Sequence, residues 1–134
     1  MTRSQARENA FILTFEKLFN PENSFEDMKA LTEETEAFEI DAFTQTLYEK
    51  TEEYTGAADE LISRYSHGWK VNRLSKVVIS ILRLAVTEIM TMDEVPDSVS
   101  ANEAVELAKK YAAPEDASFI NGILGSVIRG KKAE

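Results

Sequence analysis

Residues Leu74 to Met92 read LSKVVISILRLAVTEIMTM. On a wheel of 3.6 residues per turn, Lys76, Ser80, Arg83, Thr87 and Thr91 fall into one narrow polar stripe. Val77, Val78, Ile79, Ile81, Leu82, Leu84, Ala85, Val86, Ile89, Met90 and Met92 fill almost all the rest. An apolar arc that wide is satisfied only when other helices surround it, so the stretch predicts the central helix of a compact helical domain. Glu88 stands inside the apolar sector. Burying a lone carboxylate is too costly, so Glu88 must reach water, an arginine such as Arg83, or a bound partner.

Outward from this helix, 134 residues at 43% hydrophobic content suit one globular domain with an adequate core. Arg83 and Glu88 interrupt the best apolar run, so no membrane span is expected. The charged start MTRSQAREN lacks a secretory apolar region, which places the chain in the cytoplasm. With no cysteine and one histidine, His67, neither a disulfide nor a thiolate or histidine metal cluster is expected, and no cofactor. The net charge of −9 is uneven. Glu22 to Glu60 holds 13 acidic and two basic residues, leaving the remainder at +2. A near-neutral half can therefore still attract a phosphate chain.

Thr2 can cap a helix from about Arg3 to Phe19, ended by Asn20-Pro21, with Arg3, Arg7 and Lys17 in a thin basic stripe. Ser24 to Asp27 has the form of a capping box, opening a helix through Met28 and Leu31. Ile40, Phe43, Leu47 and Tyr54 mark a third helix from about Asp41, which Gly56 interrupts before a short fourth carrying Leu61, Ile62 and Tyr65. Ser66-His67-Gly68 reads as a turn, with Trp69 anchoring the connection in the core. After Pro96, one of Asp97, Ser98 or Ser100 can cap a helix ending near Ala112, with Tyr111 on its buried face. A last helix runs from about Glu115 to Arg129, where Gly122 and Gly125 read as close-packing points against the central helix, and residues 131–134 read as a disordered tail beyond a domain spanning 1–130. The expected fold is all-α, a single bundle of about six to seven helices.

Catalysis needs a nucleophile with its base, a metal cluster or carboxylates held together in a cleft, and none has a recognisable spacing here. No glycine-rich phosphate loop occurs either. A non-enzymatic role is the expectation.

Four blocks then suggest a family: Ile81-Leu82-Arg83-Leu84-Ala85 with Glu88; Val95-Pro96; Asn102-Glu103-Ala104-Val105-Glu106-Leu107-Ala108-Lys109; and Phe119-Ile120-Asn121-Gly122-Ile123-Leu124. In order and spacing, from Arg3 to Leu124, the chain resembles the NusB transcription antitermination family. The resemblance implies two helical sub-bundles packed together, and a partnership with NusE, a small-subunit ribosomal protein. The pair would hold the single-stranded boxA element of a nascent RNA and help a transcribing RNA polymerase complex read through on ribosomal RNA operons. Unpaired bases are read by stacking and edge hydrogen bonds while cations hold phosphates.

Carried over by position, the RNA-binding residues implied are Arg3, Arg7, Phe15, Lys109, Lys110, Glu115 and Phe119, with Arg7 expected to contribute to the salt dependence of binding. Arg83, Glu88, Val78 and Ile79 fall where the family meets a partner. The departures thin the charge available to RNA. Ser4 and Gln5 stand within the family's arginine cluster, Phe15 replaces a tyrosine, Val78-Ile79 replaces an acidic-basic pair, Thr91-Met92 replaces basic residues, and Ser118 stands where some members have lysine. Fewer cations imply weak binding alone and dependence on the partner. Two alternatives stand beside this reading. One is a self-associating helical protein, a possible homodimer through the extra aliphatics. The other is an accessory domain akin to that of ribosomal RNA methyltransferases.

Overall fold

The computed structural model describes residues 1–133. Its elements are α1 (Arg3–Phe19), α2 (Phe25–Thr35), α3 (Ala42–Tyr65), a 3-10 turn (Val71–Arg73), α4 (Lys76–Thr91), α5 (Asp97–Tyr111) and α6 (Pro114–Ala133), with no strand among the described residues. As expected, the chain is all-helical and organised around α4, which touches α1 and α3 on one flank and α5 and α6 on the other. Ile81, Leu82, Val86 and Ile89 are fully buried. Each such side chain contributes about 1.5–3 kcal/mol through loss of apolar surface to water.

The helix starts follow local chemistry. Thr2 and Ser24 close capping boxes with Gln5 and Asp27, Asp41 accepts from the Thr44 amide, and Ser75 accepts from the Val78 amide. α5 departs from expectation. It starts directly after Pro96 without a side-chain cap, and Ser100 is buried instead.

Several expectations are corrected by packing. Gly56 does not break α3, which runs 24 residues. The glycine faces open space and costs about 1 kcal/mol of propensity, while Leu47, Thr51, Ala58 and Ile62 on either side are fully buried and hold the helix together. Nor are Gly122 and Gly125 close-packing points: a Cβ at Gly122 would meet nothing, and one at Gly125 only the end of Arg129. The close approach is at Gly130, where a Cβ would lie 2.5 Å from the Tyr65 hydroxyl. Residues 131–133 continue α6 rather than forming a loose tail, because the Lys131 ammonium donates to the Ile89 carbonyl at 2.7 Å and to Asp97 at 2.9 Å. The fourth residue of the expected tail, Glu134, lies outside the described residues. Tyr111 is 39% exposed rather than buried.

The polar stripe of α4 is also less polar in effect than its sequence. Ser80 and Thr87 are fully buried. Thr87 satisfies its hydroxyl on the Arg83 carbonyl one turn back, but the Ser80 hydroxyl has no partner. Removing a buried hydroxyl that makes no hydrogen bond relieves a desolvation cost. Ser80→Ala should therefore raise the free energy of unfolding by about 1 kcal/mol in a urea titration; a loss of stability would mean that the hydroxyl is satisfied.

Candidate nucleic-acid interface

Two features of α4 set the geometry of its surroundings. Near its C-terminal end, Glu88 is 2% exposed and receives the Arg7 Nε at 2.9 and 3.1 Å on its two oxygens. Arg7 is itself 5% exposed, its guanidinium 5.4 Å from the Phe43 ring centre. The partner of Glu88 is thus Arg7 and not Arg83, which forms a two-point pair with Asp59 at 2.8 and 2.9 Å. Arg7, expected from the sequence as a phosphate contact, is enclosed with its charge committed. A phosphate could reach it only by opening the α1–α4 interface.

Of the other expected cations on this side, the two lysines have carboxylate partners and Arg3 has none among the described residues. Arg3 is exposed but lies over the Phe43 ring at 4.3 Å. Lys110 pairs with Glu8, which also accepts from the Tyr111 hydroxyl. Burial pushes the Glu8 carboxyl up, yet the hydrogen bonds from Lys110 and Tyr111 outweigh it and hold the group below its ordinary value. Lys109 sits 3.4 Å from Glu106. Phe15 is half-buried in an aromatic row, 6.1 Å from Phe11 and 4.9 Å from the exposed Phe19.

At the N-terminal end of α4 the arrangement differs. Glu115 and Phe119 from α6 and Val78 from α4 line one cleft of about 380 Å³. Its remaining wall is the connection before α4, which contributes Trp69, Arg73 and Ser75. Val78 and Ile79, expected as exposed aliphatics at a partner surface, are 3% and 5% exposed and give these walls only their edges. That removes the motive for self-association through them. Ile79 and Arg83 border a second groove of about 550 Å³, together with Leu18, Asn72 and Lys76. The segment from Val71 to Lys76 is the ridge between the two. Glu88 lies ten residues beyond Val78, about 15 Å along the helix, and the residues around Arg7 and those lining the Phe119 cleft do not overlap.

Trp69 was expected in the core and is 58% exposed. The cause is the preceding turn: His67 and Gly68 both adopt positive φ, 51° and 95°, which reverses the chain after α3 and turns the following residue outward. Val71 and Leu74, both partly buried, pack against the core at this point instead. Sequence reasoning therefore missed Trp69, Lys70, Arg73 and Lys76. The signal was present in WKVNRLSK, a ring followed by a cation at every third residue. Among the described residues, no carboxylate lies within 4 Å of the charged ends of Lys70, Arg73 or Lys76. Free cations beside an exposed ring and a cleft suit a ligand with flat apolar faces and negative charge, the chemistry of an unpaired nucleic-acid strand.

An all-helical bundle with an aromatic cleft beside an exposed cation defines a small helical protein with a candidate nucleic-acid interface. The profile described as the NusB family matches residues 4–129, and the chain belongs to that family. A transcription antitermination protein NusB of Natranaerobius thermophilus is 41% identical over 131 residues, covering 95% of this chain and 94% of the relative. That of Agathobacter rectalis is 42% identical over 127 residues, covering 92% and 97%. Among solved structures, NusB of T. maritima superposes with a TM-score of 0.82 at 30% identity, covering 96% of this chain and 92% of the other. A chain from a complex of antitermination factors NusB and NusE with double-stranded RNA superposes with a TM-score of 0.81 at 26% identity, covering 97% and 99%. No helix of the described residues is long and apolar enough to cross a membrane.

Proposed function

We propose that this chain acts in the cytoplasm as an antitermination factor without catalytic activity. Paired with NusE, it binds single-stranded boxA RNA and promotes read-through by the transcribing RNA polymerase complex on ribosomal RNA operons. The observation that carries the reading is the cleft at the N-terminal end of α4, where Trp69 and Phe119 offer two aromatic faces beside the unpaired Arg73. Bases slot onto such faces whatever their identity, and each stacked base contributes about 1–3 kcal/mol. A solved relative pairs NusB with NusE and double-stranded RNA, which supports NusE and RNA as the classes of partner here.

Trp69 is the only tryptophan in the chain, so its fluorescence reports on this cleft alone. Titration with a boxA oligonucleotide should quench it, and at about 0.1 M salt, where each phosphate contact matters, NusE should tighten the binding. Phe119→Ala should weaken RNA binding by about 1–3 kcal/mol while leaving the affinity for NusE alone near that of the unmodified chain. Affinity for RNA that is unchanged by NusE would sink the proposal.

A further inference from the structure

Three cations recur every third residue on the ridge that leads into α4, Lys70, Arg73 and Lys76, and all three are exposed. The 3-10 turn Val71–Arg73 separates Lys70, which precedes it, from Arg73 at its end by a single turn of chain, and the Arg73 amide donates to the Lys70 carbonyl at 2.9 Å. Arg73 lines the aromatic cleft, while Lys76 lines the neighbouring groove and holds its ammonium 5.4 Å from the centre of the exposed Phe19 ring. The ridge also ends at the N-terminus of a sixteen-residue helix, whose dipole adds positive potential.

We propose that this ridge is the phosphate track of the RNA site: Lys70, Arg73 and Lys76, rather than the enclosed Arg7 of α1, hold the strand's backbone while bases enter the cleft lined by Trp69 and Phe119. The inference rests on the reading of the cleft as an RNA site and adds which side chains carry the electrostatic part of binding. The α6 wall of the cleft supports the assignment by exclusion. Glu115 and Asp116 line it, and Asp116 is held in place by the Ala113 amide at 3.1 Å. Two carboxylates repel a polyanion, so the strand's backbone should keep to the side of the cleft that Arg73 lines. Of the other candidate cations, Arg7 is enclosed against Glu88, and the charges of Lys110 and Lys109 are offset at the surface by Glu8 and Glu106.

The test compares two triple variants of equal charge. One is Lys70→Ala with Arg73→Ala and Lys76→Ala; the other is Lys29→Ala with Lys50→Ala and Lys132→Ala, which lowers the net charge equally away from the ridge. Both are titrated, with NusE present, against a labelled single-stranded boxA oligonucleotide over a range of salt, after circular dichroism has verified unchanged helicity. NusE binding without RNA is measured in parallel. Each contact to a single strand contributes about 0.7 to the slope of log affinity against log salt. The ridge variant should therefore lose about 2 from that slope and roughly tenfold or more in affinity near 0.1 M salt, with NusE binding retained. The control should stay close to the unmodified chain. If the unmodified chain binds RNA and the ridge variant matches it in slope and affinity, or if the control loses as much, the track is overturned and the cleft reading stands. If the unmodified chain with NusE binds no RNA at all, both fall together.

Discussion

Arg7→Ala should lower the free energy of unfolding by about 3–5 kcal/mol, the range for breaking one side of a buried ion pair. The reason is what remains. Glu88 is 2% exposed, and its two oxygens take the Arg7 Nε at 2.9 and 3.1 Å. Without the guanidinium, a carboxylate is left in the interior among the side chains of α4 and α5 with its charge uncompensated. Phe43 loses the guanidinium near its ring as well. Urea unfolding followed by far-ultraviolet circular dichroism measures the loss. Replacing both partners with apolar residues of similar volume, Arg7→Met with Glu88→Leu, should recover most of it, because the pair's attraction is largely spent against its own desolvation. RNA binding gives the complementary readout. Under conditions where Arg7→Ala stays folded, its salt slope should match that of the unmodified chain, since an enclosed cation releases no counterion from a bound strand. A flattened slope, or a stability loss under about 1 kcal/mol, would contradict the pairing.

The same residue shows where sequence reading stops. Arg7 stands one turn beyond Arg3 on α1, and spacing alone makes the two a stripe. What separates them is a contact across 81 positions of chain, and helical periodicity along one element carries no information about that. Glu88 was legible as a problem, since a carboxylate in an apolar sector needs a partner, but its nearest basic neighbour on α4, Arg83, had already been taken by Asp59 of α3. Local chemistry was far more readable. The caps at Thr2, Ser24 and Asp41 involve groups three residues apart, and the central position of α4 follows from its own pattern. Gly56 misled because propensity is a weak preference that tertiary burial overrides. Trp69 misled for the opposite reason: its size argued for the core, and only the two positive-φ residues before it turn it outward. Of the candidate site, Glu115 and Phe119 sit one turn apart on α6 and line one cleft, but the wall facing them, from Trp69 to Ser75, reads in the sequence merely as a connection.

The second large effect concerns the helix that both organises the core and carries the resemblance. Leu82→Ala should cost about 2–5 kcal/mol and lower the melting temperature by roughly 10 °C. Leu82 has no exposed surface, and α4 is packed by α1, α3, α5 and α6 at once, so the surrounding helices cannot collapse into the space vacated by three heavy atoms. The cost lies in the cavity as much as in lost hydrophobic transfer. Leu82→Met keeps the volume and should cost under about 1.5 kcal/mol, which separates cavity formation from mere change of side chain. Lys76→Ala, on the same helix but exposed, should stay within about 0.5 kcal/mol. The Leu82 and Lys76 variants divide α4 by function. The first should unfold the protein at lower temperature yet bind RNA normally in the cold, because the cleft walls nearest α4 come from Ser75 and Val78. The second should melt like the unmodified chain and bind RNA less tightly. Should Leu82→Ala cost less than about 1 kcal/mol, α4 would have to be packed loosely enough to relax, contrary to its burial on every side.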